Sequence, residues 1–141
     1  MSDLLQHRIK VLLYRVQEGQ PHYLLLRKSE GVDPPWGILD GAIGFDEQIE
    51  SAIHREVFQD IGLPGAERLI DLQMPKRWLV GDEEIVEWPY GAKAPSADGG
   101  IVLDQRWSEY RWAEFGEAYS RLQLELDRAA MTRLHTLISA A

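Results

Sequence analysis

Three oxygen-bearing side chains lie close together in the chain at helical spacing. Glu56 and Asp60 are four residues apart, and Gln59 stands three residues after Glu56. On a helix such positions share a face, so the spacing would bring two carboxylates and an amide oxygen to one side. An all-oxygen set of this kind suits a hard divalent cation, Mg²⁺ or Mn²⁺. No His or Cys completes the face, which disfavours zinc. Acidic pairs are also ordinary on solvated helix faces, so the pair by itself does not separate a metal site from plain surface.

The elements around these residues decide how they could be held. Residues 46–61 read as a helix, because Ile49, Ile53, Val57 and Ile61 recur every fourth position and give one apolar stripe. The stripe is expected on a different face from the carboxylates, anchoring the helix to a sheet. Gly62 supplies the stop, and Pro64 forbids continuation. Upstream, 8–15 and 22–28 read as two strands joined by a turn around Glu18 and Gly19, followed by a Gly- and Pro-rich loop over 29–37. Downstream, 67–80, 83–88 and 101–112 read as strands, the last open to a bulge or turn within it, and 89–100 reads as an exposed loop. A short helix over 114–122 and a longer one over 127–139 complete the pattern. Strands and helices mix without strict alternation, so the expected class is α+β, a mixed sheet sandwiched between helices.

Composition narrows the partners. The 141 residues are the length of one ordinary domain, 1–141. A net charge of −8 argues against a nucleic acid polymer or an anionic membrane surface as partner. A divalent cation could still bring a phosphorylated small molecule to an acidic protein. No apolar run reaches membrane-helix length, and no signal peptide is expected. The chain has no cysteine, which excludes disulfides and thiolate chemistry and fits a reducing, cytoplasmic setting.

The segment from Trp36 to Leu63 resembles the Nudix box, whose pattern is G-x5-E-x7-R-E-U-x-E-E-x-G-U with U bulky and apolar. Gly41, Glu47, Arg55, Glu56, Val57, Gly62 and Leu63 fall in register. Gln59 and Asp60 stand where the pattern has Glu. The flanks are similar too. Leu26-Arg27-Lys28 precedes Trp36, and Tyr110-Arg111-Trp112 precedes Glu117-Ala118. The resemblance implies a Nudix fold and a MutT-like, metal-dependent hydrolase cleaving a pyrophosphate bond in a nucleoside diphosphate linked to another group, or in a nucleoside triphosphate. It implies Glu56 and Asp60 as catalytic residues. Glu56, Gln59, Asp60 and the Gly41 carbonyl become metal ligands, while Glu47, Arg55 and Gly62 hold the box together. Arg27 or Lys28 would meet substrate phosphates; strand alternation turns one in and one out. Homodimers are common in the family, so a second copy stays open as a partner.

The sequence departs from the family in four places. Gln59 brings no charge, and Asp60 is one methylene short, so weaker metal binding is expected. Leu39-Asp40-Gly41 replaces the commoner Pro-Gly-Gly, a variation similar to the dihydroneopterin triphosphate pyrophosphatase branch. Relatives often supply a further acid from the late strand, but Arg106 and Trp107 fall there; Glu109, Asp104, Glu83, Glu84 and Glu87 are the candidate substitutes. Gln59 and the missing late acid motivate the alternative, a catalytically impaired Nudix-fold module that binds nucleotides or regulates. Trp36 and Trp78 are candidate base-stacking aromatics, and His54 is expected on the helix surface without a role.

Overall fold

The computed structural model describes residues 5–95 and 100–139. In chain order its elements are β1 (Leu5–Gln17), β2 (Gln20–Lys28), β3 (Trp36–Gly37), β4 (Leu39–Ala42), α1 (Ile49–Ile61), β5 (Arg68–Asp71), β6 (Lys76–Val80), β7 (Glu83–Lys93), β8 (Trp107–Glu114), α2 (Phe115–Arg121) and α3 (Glu125–Ser139). β1 is central. It pairs with β2 and β4 antiparallel and with β7 parallel, while β8 runs antiparallel to β2 and β5 and β6 to β7. The class is α+β with a mixed sheet, as the sequence pattern leads one to expect.

Alternation along β1 explains the layers. Ile9, Val11 and Leu13 point to one face, where they pack with Leu24, Leu26 and the α1 residues Ala52, Ile53, Val57 and Ile61. Leu12 and Tyr14 point to the other, against Tyr23, Leu25 and Ala130, Met131 and Leu134 of α3. A strand covered on both faces reads as a continuous apolar run, which is the Val11-Leu12-Leu13 stretch. Glu18 and Gly19, with φ of 53° and 77°, turn β1 into β2; positive φ at both central residues matches the twist of a tight hairpin.

Five expectations need correction. The loop expected over 89–100 is strand from Pro89 to Lys93, inside β7; Ser96–Gly99 lie outside the described residues. The Pro89 carbonyl accepts from Leu72 N–H at 3.3 Å. Its missing N–H therefore falls on that side, where β7 changes partner from β6 to β5, so no ladder bond is lost there. The strand expected over 67–80 is two strands, separated around Gln73, whose φ is 56°. The strand expected over 101–112 begins only at Trp107. Residues before it dock on the end of α1, through Val102 N–H to Ile61 O at 3.0 Å and Asp104 N–H to Asp60 O at 2.8 Å. The loop read over 29–37 ends in β3, and β4 follows it on β1. α1 itself starts at Ile49 rather than 46, since Asp46 has a φ of 65°. It ends at Gly62, whose φ of 74° allows its N–H to bond Phe58 O.

Candidate active site

The site is built where α1 meets β4. Arg55 binds the intervening loop to the helix. Its Nε donates to Glu47 Oε2 at 2.9 Å and its Nη2 to Glu47 Oε1 at 3.0 Å and to Ala42 O at 2.8 Å. Glu47 Oε1 also accepts from Gly44 N–H at 2.7 Å. These charged hydrogen bonds pull the Glu47 carboxyl down to a pKa of about 2. The remaining Arg55 nitrogen, Nη1, donates to Glu56 Oε2 at 2.8 Å and so fixes the orientation of that carboxylate.

Glu56 is buried, with 6% of its surface exposed, and its Oε1 has no hydrogen-bond partner. Burial, and then the nearby charge of Asp60, push its carboxyl above the usual range, against the pull of Arg55. Gly41 makes the space for it: a β-carbon at position 41 would lie 2.5 Å from Glu56 Oε2. Asp60 is buried too. Its Oδ2 accepts from Trp107 Nε1 at 3.1 Å and lies 3.0 Å from Arg106 Nε, the latter an ion pair without hydrogen-bond alignment. Arg106 Nη2 also donates to Asp40 O and, at 3.0 Å, to Asp40 Oδ1.

The helix does not separate apolar and acidic faces as its stripe implies. Ala52, Ile53, Glu56, Val57, Asp60 and Ile61 are all buried. At about 100° per residue, Asp60 follows Glu56 by only about 40° and stays within the buried arc, while Gln59 falls about 60° the other way. Gln59 is exposed. Gly41 faces β1: the Ile43 N–H to His7 O bond and the antiparallel alternation direct the Gly41 carbonyl into the β1–β4 ladder and the Asp40 carbonyl away from it. It is Asp40 that Arg106 reaches.

Among the described residues no three His, Asp or Glu side chains cluster to hold a metal. The candidate late acids are engaged elsewhere. Glu109 accepts from Arg27 at 3.0 Å, Glu84 from Arg77 at 2.6 Å, Glu87 from Trp78 at 2.8 Å and Glu83 from Gln6 at 3.3 Å. Asp104 bonds the Arg106 N–H at 3.3 Å. The orphaned, buried Glu56 Oε1 beside a second carboxylate nevertheless fits a hard cation, since a buried anion without a partner is costly.

Solved structures repeat this architecture. One from Listeria monocytogenes, assigned as a NUDIX hydrolase, superposes with a TM-score of 0.81 at 17% identity, over 95% of this chain and 94% of that one. A C. elegans Ap4A hydrolase complex gives 0.81 at 16% identity, over 96% and 99%. The E. coli dihydroneopterin triphosphate pyrophosphohydrolase gives 0.75 at 19% identity, over 96% of each. The chain has the Nudix fold. No family model matches the sequence, and no curated protein does.

Within this Nudix fold the phosphate-binding candidates part company. Each guanidinium nitrogen of Arg27 is engaged: Nε donates to Pro34 O at 2.9 Å, Nη2 to Asp33 at 2.8 Å and Nη1 to Glu109. Lys28 is exposed, and among the described residues its near ionic partner is Asp40, at 4.0 Å. With Arg8 and Arg106 it lines a cleft of about 470 Å³ around Asp40. Trp36 stacks under Arg27, whereas Trp78 pairs with Lys76 on β6. His54 lies on the exposed side of α1 and accepts from Ala66 N–H at 3.4 Å. Arg106 and Trp107 fall where relatives carry a late acid, but no sequence signal sets them against Asp60; the docking of residues 101–106 on the end of α1 does so, and Arg106 in turn reaches Asp40 on β4. No described helix is long and apolar enough to cross a membrane.

Proposed function

We propose that the chain is a metal-dependent pyrophosphohydrolase acting on a nucleoside triphosphate or a nucleoside diphosphate linked to another group. The observation that carries this reading is the buried Glu56 carboxylate, held through Oε2 by Arg55 and left without a partner at Oε1. Glu56 and Asp60 would hold Mg²⁺ or Mn²⁺, with the Gln59 amide at the rim of the same helix. When bound, the ion would neutralise the diphosphate and lower the pKa of a water. The water oxygen adds to one phosphorus, the bridging P–O bond breaks, and the water's proton passes to a neighbouring carboxylate. Lys28 and Arg8 offer positive charge to the phosphate oxygens from the adjoining cleft. All three of these solved neighbours are named for hydrolysis, which supports the reaction class.

The test is a panel of nucleoside triphosphates and diphosphate conjugates with Mg²⁺ or Mn²⁺, read by phosphate or pyrophosphate release. Turnover is expected with at least one, falling by roughly 10²–10⁴-fold in Glu56→Gln. A single observation favours the second reading, a binding module without catalysis: Arg106 sets a guanidinium 3.0 Å from Asp60 Oδ2. No turnover on any substrate, together with a nucleotide-dependent rise in melting temperature, would establish that reading instead.

A further inference from the structure

On the far side of Asp40 lies a second cavity, of about 440 Å³, lined by Lys10, Lys28, Trp36, Gly37, Trp107 and Asp127 among others. A cavity of that size takes one small organic ligand. Its floor is unusual. Asp127 is fully buried and Lys10 nearly so, and Lys10 Nζ lies 3.0 Å from Asp127 Oδ1. The contact lacks hydrogen-bond alignment, and neither Asp127 oxygen has a hydrogen-bond partner among the described residues. Burial pushes the Asp127 carboxyl up, against the opposing effect of Lys10. Buried carboxylates with open acceptor sites are rare, because desolvation without compensation is costly. Gly37 lies beside the carboxylate: a β-carbon there would stand 3.9 Å from Asp127 Oδ2, at ordinary van der Waals contact.

The floor therefore offers a cation with spare N–H donors beside a carboxylate with spare acceptor sites. From this we infer that the cavity selects a 2-amino-4-oxopyrimidine ring, the edge shared by guanine and pterin. That edge presents a carbonyl, a ring N–H and an amino group side by side. The carbonyl accepts from Lys10, and the two N–H groups donate to Asp127. Adenine and cytosine lack the ring N–H, and uracil would turn its second carbonyl onto the carboxylate, so each leaves a buried group unpaired. Trp36 and Trp107 give the planar ring walls to lie against.

The orientation of the rest of the ligand rests on the hydrolase reading. Lys28 and Asp40 border both this cavity and the basic cleft, so a phosphate chain leaving the ring would run past Asp40 toward Glu56 and Asp60. Ring recognition is separable from that chemistry and is tested without phosphates. Guanosine, a pterin, adenosine and uridine are titrated against the full chain by calorimetry and tryptophan fluorescence. Guanosine or the pterin, or both, should bind at least about tenfold tighter than adenosine and uridine; which of the two binds identifies the source of the ring. Asp127→Asn should abolish that preference. If this variant fails to fold, the double variant Lys10→Met with Asp127→Leu removes both charges at similar volume and should lose the preference in the same way. Equal affinity for all four ligands, or an unchanged preference in the folded variants, overturns the assignment even if phosphate hydrolysis is found. Guanosine or pterin binding that Asp127→Asn removes upholds it even if nothing is hydrolysed.

Discussion

Glu56 occupies the space that a side chain at Gly41 would need. A β-carbon at position 41 would stand 2.5 Å from Glu56 Oε2, the oxygen that Arg55 holds. The glycine is thus required by close approach of β4 to the carboxylate. Gly41→Ala must displace the Glu56 head group or the strand. A misplacement near 1 Å costs on the order of 10²-fold in rate, while overpacking costs about 1–3 kcal/mol of stability. Steady-state kinetics and urea denaturation on the same variant should show the larger effect in kcat.

Arg106 occupies the side of Asp60 that a cation would approach. Its Nε is 3.0 Å from Asp60 Oδ2, and its Nη2 is tied to Asp40. A positive charge there competes with a metal for the same oxygen. Arg106→Gln is expected to tighten Mn²⁺ binding by about tenfold, the equivalent of 1.4 kcal/mol, as measured by calorimetry. Unchanged affinity would mean that Asp60 Oδ2 does not face the ion.

How much of this could be read from the chain differs residue by residue. The helix and its end were legible because Ile49, Ile53, Val57 and Ile61 carry the helical period and Gly62 carries a φ of 74°; period and stop signal are local properties. The convergence of Gln59 with Glu56 and Asp60 was not fixed by spacing alone. Residues three and four apart share a face only loosely, and the sheet buries an arc that takes in positions 56 and 60 and leaves 59 exposed. The sequence placed Arg106 where relatives carry a late acid, but not its contact with Asp60, which depends on backbone bonds from Val102 and Asp104 to the end of α1. The Lys10–Asp127 pair joins β1 to α3 across 117 residues of chain, and no local signal links two such positions.

The Glu56 carboxyl is raised by burial and by Asp60, and its sign fixes a pH dependence. A raised carboxyl means that the folded state prefers the protonated form. Its stability is greatest below the ordinary glutamate range and is lost as pH rises through the folded pKa. Glu56→Gln keeps an amide oxygen for Arg55 and removes the buried charge. Its melting temperature should exceed that of the native chain by a few degrees at pH 7–8 and converge with it near pH 4. Adding Mn²⁺ at pH 7–8 should narrow the gap by stabilising the native chain alone. Equal melting temperatures throughout would show that Glu56 is not destabilised by ionisation.

Arg27 and Lys28 are neighbours in sequence with opposite assignments. Arg27 is held by Asp33, Glu109 and the Pro34 carbonyl, and so ties the loop after β2 to β8. Lys28 points its ammonium into the cleft beside Asp40. Removing a phosphate contact made equally in the ground and transition states raises KM and leaves kcat alone. Lys28→Met should therefore raise KM by about tenfold, a loss of 1.4 kcal/mol in binding, with little change in melting temperature. Arg27→Met should do the reverse. It leaves substrate binding close to native and lowers stability by roughly 1 kcal/mol, because its ion pairs are partly exposed to solvent. Paired measurements of KM and chemical denaturation decide between the two residues; a KM effect confined to Arg27→Met would exchange their roles.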